Sequence, residues 1–192
     1  MNFYSVLKNS YKDKKKQSSG LDQYGYVYDP ALSNDNEQVY FRAKDNKLLY
    51  SVTGTHNLSD WGTDAYLAAG KLKDTNRYKE ADKGLAEAKK KYGVDSATIT
   101  GHSLGATVGS YIAKPEDRFY GLDPGVTLGQ HIRPNKGNHQ YFRSAGDIVS
   151  GLSDGMTNMK TLVNPNKSTG ILPIDMYKAH DINNIKNSGI RV

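Results

Sequence analysis

Gly101-His102-Ser103-Leu104-Gly105 has the G-x-S-x-G spacing that presents a serine hydroxyl as a nucleophile. The spacing alone is cheap. With 15 serines and 19 glycines in the chain, chance supplies such a match in about one shuffled sequence in seven. A second match, Gly151-Leu152-Ser153-Asp154-Gly155, stands downstream. Local chemistry separates the two. A nucleophilic serine of this type projects from a sharp strand-to-helix turn in a strained backbone conformation, so the residues two before and two after it must be small. The helix that follows aims its first N–H groups at the oxyanion developing on the substrate carbonyl. Ser103 follows the strand-like Ala97-Thr98-Ile99-Thr100 and precedes the small-residue run Ala106-Thr107-Val108-Gly109-Ser110. Ser153 has neither neighbour, and Met156-Thr157-Asn158-Met159-Lys160 is a poor helix start. Ser103 is therefore the candidate nucleophile. Without chemistry, the same residues would be a glycine-rich turn between strand and helix.

A serine nucleophile needs a base that accepts its proton near neutral pH and returns it to the leaving alkoxide, which is work for an imidazole. In α/β-hydrolases the order along the chain is serine, acid, histidine. His56 and His102 precede Ser103, and His131 and His139 precede Asp147. His180, in Met176-Tyr177-Lys178-Ala179-His180-Asp181, fits the order. Two acids lie between Ser103 and His180 after strand-like residues, Asp123 and Asp147, and their positions leave both open. Upstream of the elbow, Gly54-Thr55 ends a strand-like segment, where the second oxyanion donor of this type of hydrolase arises.

The elements that must hold these residues are legible in the periodicity. Gln38–Arg42 and Lys47–Thr53 read as a hairpin around Asp45-Asn46. Tyr78, Ala81, Leu85, Ala88 and Tyr92 fall at helical steps, with Lys89–Lys91 in the last turn and Gly93 to close it. Leu104–Ala113 predicts a second helix, and Phe119–Leu122 and Gln140–Arg143 predict further strands. Helices alternating with short buried strands imply an α/β fold. Residues 1–25 are polar, with a lysine-rich run from Lys12 to Gly20 at their centre. They are expected to form a solvated helix end or arm, with a contact to anionic lipid or nucleic acid as the sharper alternative.

Composition bounds the answer. A chain of 192 residues with hydrophobic content of 36% and a net charge of +6 is expected to fold as a single domain, residues 1–192. The absence of cysteine excludes a disulfide scaffold, cysteine-ligated zinc, iron–sulfur clusters and thiol catalysis. No apolar run approaches the roughly 18 residues of a membrane span, and the first residues lack a secretory apolar region. The sequence carries no recognisable address, so the expected location is cytoplasmic by default, with a virion component as the alternative.

Gly101-His102-Ser103-Leu104-Gly105-Ala106 resembles the elbow of the class 3 (fungal-type) lipases, whose common form is G-H-S-L-G-G. Val52-Thr53-Gly54-Thr55 and the following residues to Asp64 are similar to that family's strand ending in F-R-G-[ST] and the lid segment after it. Tyr141-Phe142-Arg143-Ser144-Ala145-Gly146-Asp147-Ile148-Val149 is similar to its Y-R-x-x-x-x-D-x-V block. The resemblance runs from about Gln38 to His180, and small proteins of this kind also occur in large DNA viruses and their satellites. It implies an α/β-hydrolase fold with a central, mostly parallel sheet flanked by helices, and hydrolysis of lipid esters. It implies Ser103, Asp147 and His180 as the triad, with Thr55 and the backbone N–H of Leu104 as oxyanion donors and Trp61 on a lid or substrate-binding segment. No cofactor, metal or nucleic acid is implied; the partner is a lipid substrate, with the lysine clusters Lys14–Lys16 and Lys89–Lys91 favouring an anionic membrane surface. Asp123, in Gly121-Leu122-Asp123-Pro124, resembles instead the G-L-D-P acid of pancreatic-type lipases. The chain departs from the fungal pattern at Ala106, which replaces a glycine, at Thr53, which stands where the family has arginine, and at Ser150, which replaces a proline.

Overall fold

The structure is a computed structural model that describes residues 1–12, 20–55, 72–125, 138–145, 147, 159–162 and 178–192. Its centre is a seven-stranded sheet whose spatial order equals chain order: β1 (Val27–Tyr28), β2 (Glu37–Arg42), β3 (Lys47–Val52), β4 (Ala97–His102), β5 (Arg118–Leu122), β6 (Asn138–Ser144) and β7 (Met159–Leu162). β1, β2 and β3 form an antiparallel meander, and from β3 to β7 every pairing is parallel. The β2–β3 hairpin forms as expected, with Asn46 turning it in the left-handed region at φ 51°. A short side chain that can bond its own backbone makes asparagine suited to that conformation.

Alternation along the strands assigns the two faces. Leu48, Tyr50 and Val52 of β3, Ile99 of β4, Phe119 of β5 and Tyr141 of β6 pack against helices α2 (Asn76–Tyr92) and α3 (Leu104–Ile112). The intervening Leu49, Tyr120, Leu122 and Phe142 face the other way, toward helix α1 (Phe3–Ser10) and Ile185 near the C-terminal end. The mostly parallel sheet with helices on both faces is an α/β-hydrolase architecture. Helix α2 closes at Gly93 as its sequence announces. Thr75 caps it by accepting from Tyr78 N, and Gly93 at φ 62° closes it by donating to the Lys89 and Lys90 carbonyls.

The solvated arm expected of the first residues does not form at Phe3–Ser10. Phe3, Val6 and Leu7 are fully buried in this helix, and Asn2 caps it by accepting from Tyr4 N at 2.9 Å. The apolar stripe has helical spacing, but the lysine run beside it dominates the composition and hides it. Burial of each such side chain stabilises by about 2 kcal/mol, which a surface arm could not offer. Lys14–Lys16 lie outside the described residues. The other lysine cluster is largely committed within the fold: Lys89 pairs with the buried Asp117 at 2.7 Å and Lys91 with the buried Asp29 at 2.5 Å. Among the described residues, no helix is long and apolar enough to cross a membrane.

Candidate active site

Strand β4 delivers Ser103 to the carboxyl edge of the sheet, and α3 begins at the next residue. Ser103 itself has φ 57° and ψ −129°, a region that costs a non-glycine residue about 1–3 kcal/mol and persists only where its surroundings enforce it. The enforcement is visible. Its N–H donates to Leu122 O on β5, while its carbonyl accepts from the amides of Ala106, Thr107 and Gly125. The glycines on either side are sterically required: a Cβ on Gly101 would strike the Gly105 carbonyl and come within 2.7 Å of Ala106 Cα, and one on Gly105 would strike the Val52 carbonyl. The Ser103 hydroxyl oxygen is buried and has no hydrogen-bond partner among the described residues. A buried hydroxyl left without a partner destabilises the fold, so its presence calls for an explanation other than stability.

The last described segment brings His180 to this elbow, its ring 4.9 Å from that of His102 between centroids. His180 Nδ1 lies 3.0 Å from Asp147 Oδ2, and both side chains are buried. Burial lowers the imidazole pKa, but the Asp147 hydrogen bond and charge, with Asp123 behind them, outweigh it and leave the pKa above the ordinary histidine value. With Nδ1 held by a carboxylate, Nε2 is the nitrogen that can take a proton from a nucleophile.

Asp123 ends β5 next to this pair, in the left-handed region at φ 46°. Its carboxylate accepts from Ser144 N at 2.6 Å and from Ser144 Oγ at 3.0 Å. Burial, and then the neighbouring Asp147 charge, hold its pKa well above the usual carboxylate range. The structure thus separates the two acids that sequence left open: Asp147 touches the imidazole of His180, and Asp123 is bound to the end of β6. Asn184, which sequence gave no reason to single out, secures the histidine segment. Its Nδ2 donates to the Lys178 and Ala179 carbonyls at 2.9 and 2.8 Å and reaches Ser144 Oγ at 3.4 Å. His102, Asp123 and His180 offer ligand-type atoms within 4.8 Å of one another. Both ring nitrogens of His102 and both Asp123 oxygens are already engaged in hydrogen bonds, however, so the cluster is organised as a hydrogen-bond network.

No family model matches the sequence, and no curated protein matches it either. Solved structures do. A mutant form of MDLA from Penicillium cyclopium superposes with a TM-score of 0.56 at 14% identity, over 87% of this chain and 79% of that one. A structure described as a fungal lipase gives 0.55 at 15% identity, again over 87% and 79%. The Rhizomucor miehei lipase in complex with its propeptide gives 0.56 at 12% identity, over 83% of this chain and 66% of that one. This chain has the fold of the fungal lipases. At such identities the likeness speaks for the backbone path alone, and the chemistry has to be argued from the residues just described.

Within the fungal-lipase fold, two of the sequence departures have a structural explanation. Ala106 is accommodated because Gly121 faces it from β5; a Cβ on Gly121 would lie only 3.3 Å from that of Ala106. Where Thr53 replaces the expected arginine, a guanidinium arrives from elsewhere. Arg77, on the first turn of α2, donates to the Thr53 and Asn36 carbonyls and pairs with Glu37 at 2.7 Å. The strand end bearing Gly54 and Thr55 is thereby clamped beside the elbow, where a Cβ on Gly54 would sit 3.1 Å from Ser103 Cβ. Thr55 is half-buried at this position, and Leu104 opens α3 with one of the amides that has no acceptor within the helix. Trp61, Ser150 and the second G-x-S-x-G at Ser153 lie outside the described residues.

The Arg77 clamp has a measurable consequence. Arg77→Met leaves Glu37 buried without its cation, and removing one partner of a buried pair costs about 3 kcal/mol. The Glu37 pKa is already raised by burial, with Arg77 opposing the rise, so losing Arg77 raises it further. Protonation then relieves the uncompensated charge. The stability gap between variant and wild type in urea titrations is expected to narrow as pH falls, and a gap that stays constant from neutral to mildly acidic pH contradicts the assignment.

Proposed function

We propose that this chain is a serine hydrolase that cleaves carboxylic esters of lipids, either acylglycerols or phospholipids. The observation that carries the reading is the strained Ser103 at the start of α3, with a buried His180–Asp147 pair brought to the same sheet edge. In this reading Ser103 Oγ attacks the ester carbonyl while His180 Nε2 takes its proton, and Asp147 holds the imidazole in the tautomer that leaves Nε2 bare. The tetrahedral oxyanion is received by the Leu104 N–H and by Thr55, through its backbone N–H and hydroxyl. His180 then protonates the departing alkoxide. Water, activated by the same base, releases the acid from the acyl-enzyme.

The lipid half of the proposal rests on the fungal-lipase fold and on the positive net charge, +6 over the whole chain. It is tested by comparing hydrolysis of one ester below and above its solubility limit, alongside anionic vesicles followed through the emission of Trp61, the single tryptophan. The expected result is turnover that rises when the ester aggregates, with a blue shift on vesicle addition that weakens in high salt. Equal rates on monomeric and aggregated ester, with unchanged emission, identify a soluble esterase or thioesterase. Vesicle binding without any hydrolysis identifies a lipid-binding protein that has lost turnover.

A further inference from the structure

Helix α1 ends inside the site. Tyr11 follows it as the C-cap residue, and the edge of its ring meets His102, with centroids 5.8 Å apart. The Tyr11 hydroxyl accepts the Gly54 N–H at 3.0 Å and lies 2.8 Å from His102 Nδ1. The other ring nitrogen, His102 Nε2, lies 3.0 Å from the carbonyl oxygen of His180.

The proton positions follow from the partners. A carbonyl only accepts, so His102 carries its proton on Nε2 and donates it to His180. Nδ1 is then a bare lone pair, and the Tyr11 O–H points at it. Burial, reinforced by the neighbouring His180, pushes the His102 pKa down to about 3, so the ring stays neutral and the pattern does not change over any working pH. Burial likewise keeps the Tyr11 phenol protonated by raising its pKa. One continuous chain of donors thus runs from Gly54 N–H through Tyr11 and His102 to the backbone of His180. Glycine at position 54 is part of the arrangement, because a Cβ there would come within 2.6 Å of the Tyr11 oxygen.

We propose that Tyr11 is a positioning residue of the hydrolytic centre, whose single hydroxyl fixes the oxyanion strand end at Gly54 and, through the His102 ring it anchors, the backbone of the general base His180. The inference rests on the hydrolase reading above and adds to it a requirement for the segment that ends α1. Among the described residues Tyr11 bonds Gly54 and His102, and its effect is to hold two separately delivered parts of the site in one geometry. Without the hydroxyl, His102 Nδ1 loses the donor that anchors the ring, and the His180 carbonyl alone is left to hold the proton on Nε2. A ring anchored at one nitrogen shifts more easily, and the His180 backbone bonded to it shifts with it. Displacements of about 1 Å in such sites cost on the order of 100-fold in rate.

The test is Tyr11→Phe, which keeps the ring and its packing. The expected result is a kcat lower by about 10- to 100-fold, with KM within about twofold. A fluorophosphonate should label the variant more slowly by the same factor, yet to the same final stoichiometry as wild type. An unchanged kcat overturns the proposal. So does a loss of activity matched by a smaller labelled fraction reacting at the wild-type rate, since that is partial unfolding and not misplacement. A second pair of variants reads the same bridge from its other end. His102→Gln retains an N–H donor for the His180 carbonyl and His102→Leu does not, so the glutamine variant is expected to keep about tenfold more activity. Equal activity of the two overturns the bridge even where Tyr11→Phe does not fold. A wild-type chain that neither hydrolyses esters nor accepts the label overturns the hydrolase reading itself, a result distinguishable from all of these.

Discussion

Ser103→Ala is expected to lower ester hydrolysis by at least about 10³-fold and to abolish labelling by a fluorophosphonate, while leaving the fold intact or slightly more stable. The activity and stability halves of that expectation have different origins. In the proposed mechanism activity falls because the hydroxyl is the atom that forms the acyl-enzyme, and no neighbouring serine shares its turn. The residual rate is what the oxyanion donors and binding alone provide. Stability does not fall, because the buried Ser103 oxygen makes no hydrogen bond among the described residues. Removing a buried polar atom without a partner relieves a desolvation penalty of about 1–3 kcal/mol, and alanine tolerates φ 57° no worse than serine does. A thermal midpoint at or above wild type, together with vanished turnover, is thus the signature of a group retained for function at the expense of stability. Peptide mapping of the labelled wild-type chain checks the position. Label on Ser153, or a variant within tenfold of wild-type activity, removes Ser103 from the role.

The elbow was legible in the sequence because its motif is local, although one of its constraints is not. The close approach at Gly101 and the small start of α3 are decided within about ten residues, whereas Gly105 is demanded by the Val52 carbonyl on β3. The meander, helix α2 and the central strands were legible for the same reason, since periodicity and caps are short-range signals. What escaped was non-local. Helix α1 carries a valid apolar stripe, but its charge-rich surroundings outweigh it until Phe142 and Leu122 are seen beneath it. Arg77 reaches the strand end from 24 residues away, and nothing in the spacing connects it to the Thr53 carbonyl. Tyr11 and Asn184 are equally silent in sequence. Each bonds at least one distant backbone atom, which any residue supplies, so no partner motif marks them. The choice between Asp123 and Asp147 was open for a related reason: adjacent parallel strands end at the same sheet edge, and both deliver a carboxyl to it.

That choice gives the second large effect. Asp147→Asn is expected to lower kcat/KM by about 10⁴-fold, the scale seen when the acid of a well-studied triad becomes an amide and the histidine adopts the wrong tautomer. Asp123→Asn is expected to remain within about tenfold of wild type, because Asp123 bonds Ser144 and not the imidazole. An asparagine oxygen can still accept the Ser144 N–H, and asparagine tolerates the left-handed conformation found at φ 46°. Two pH measurements make the comparison sharper. In the proposed mechanism the base works as neutral imidazole, so the acidic limb of kcat/KM is expected to follow the His180 pKa, which Asp147 raises directly and Asp123 raises from farther away. Both variants should therefore move that limb to lower pH, Asp147→Asn by more, in whatever activity remains. Stability separates them in the other direction. Because the Asp123 pKa is raised in the folded protein, the unfolded chain releases that proton first, and wild-type stability declines as pH rises from the ordinary aspartate range toward the raised value. Asp123→Asn removes the group, so the variant should gain on wild type over that interval. If Asp123→Asn is instead the crippled enzyme and Asp147→Asn the active one, the acid belongs at the end of β5, as in the pancreatic-type pattern, and the 3.0 Å His180–Asp147 contact is structural.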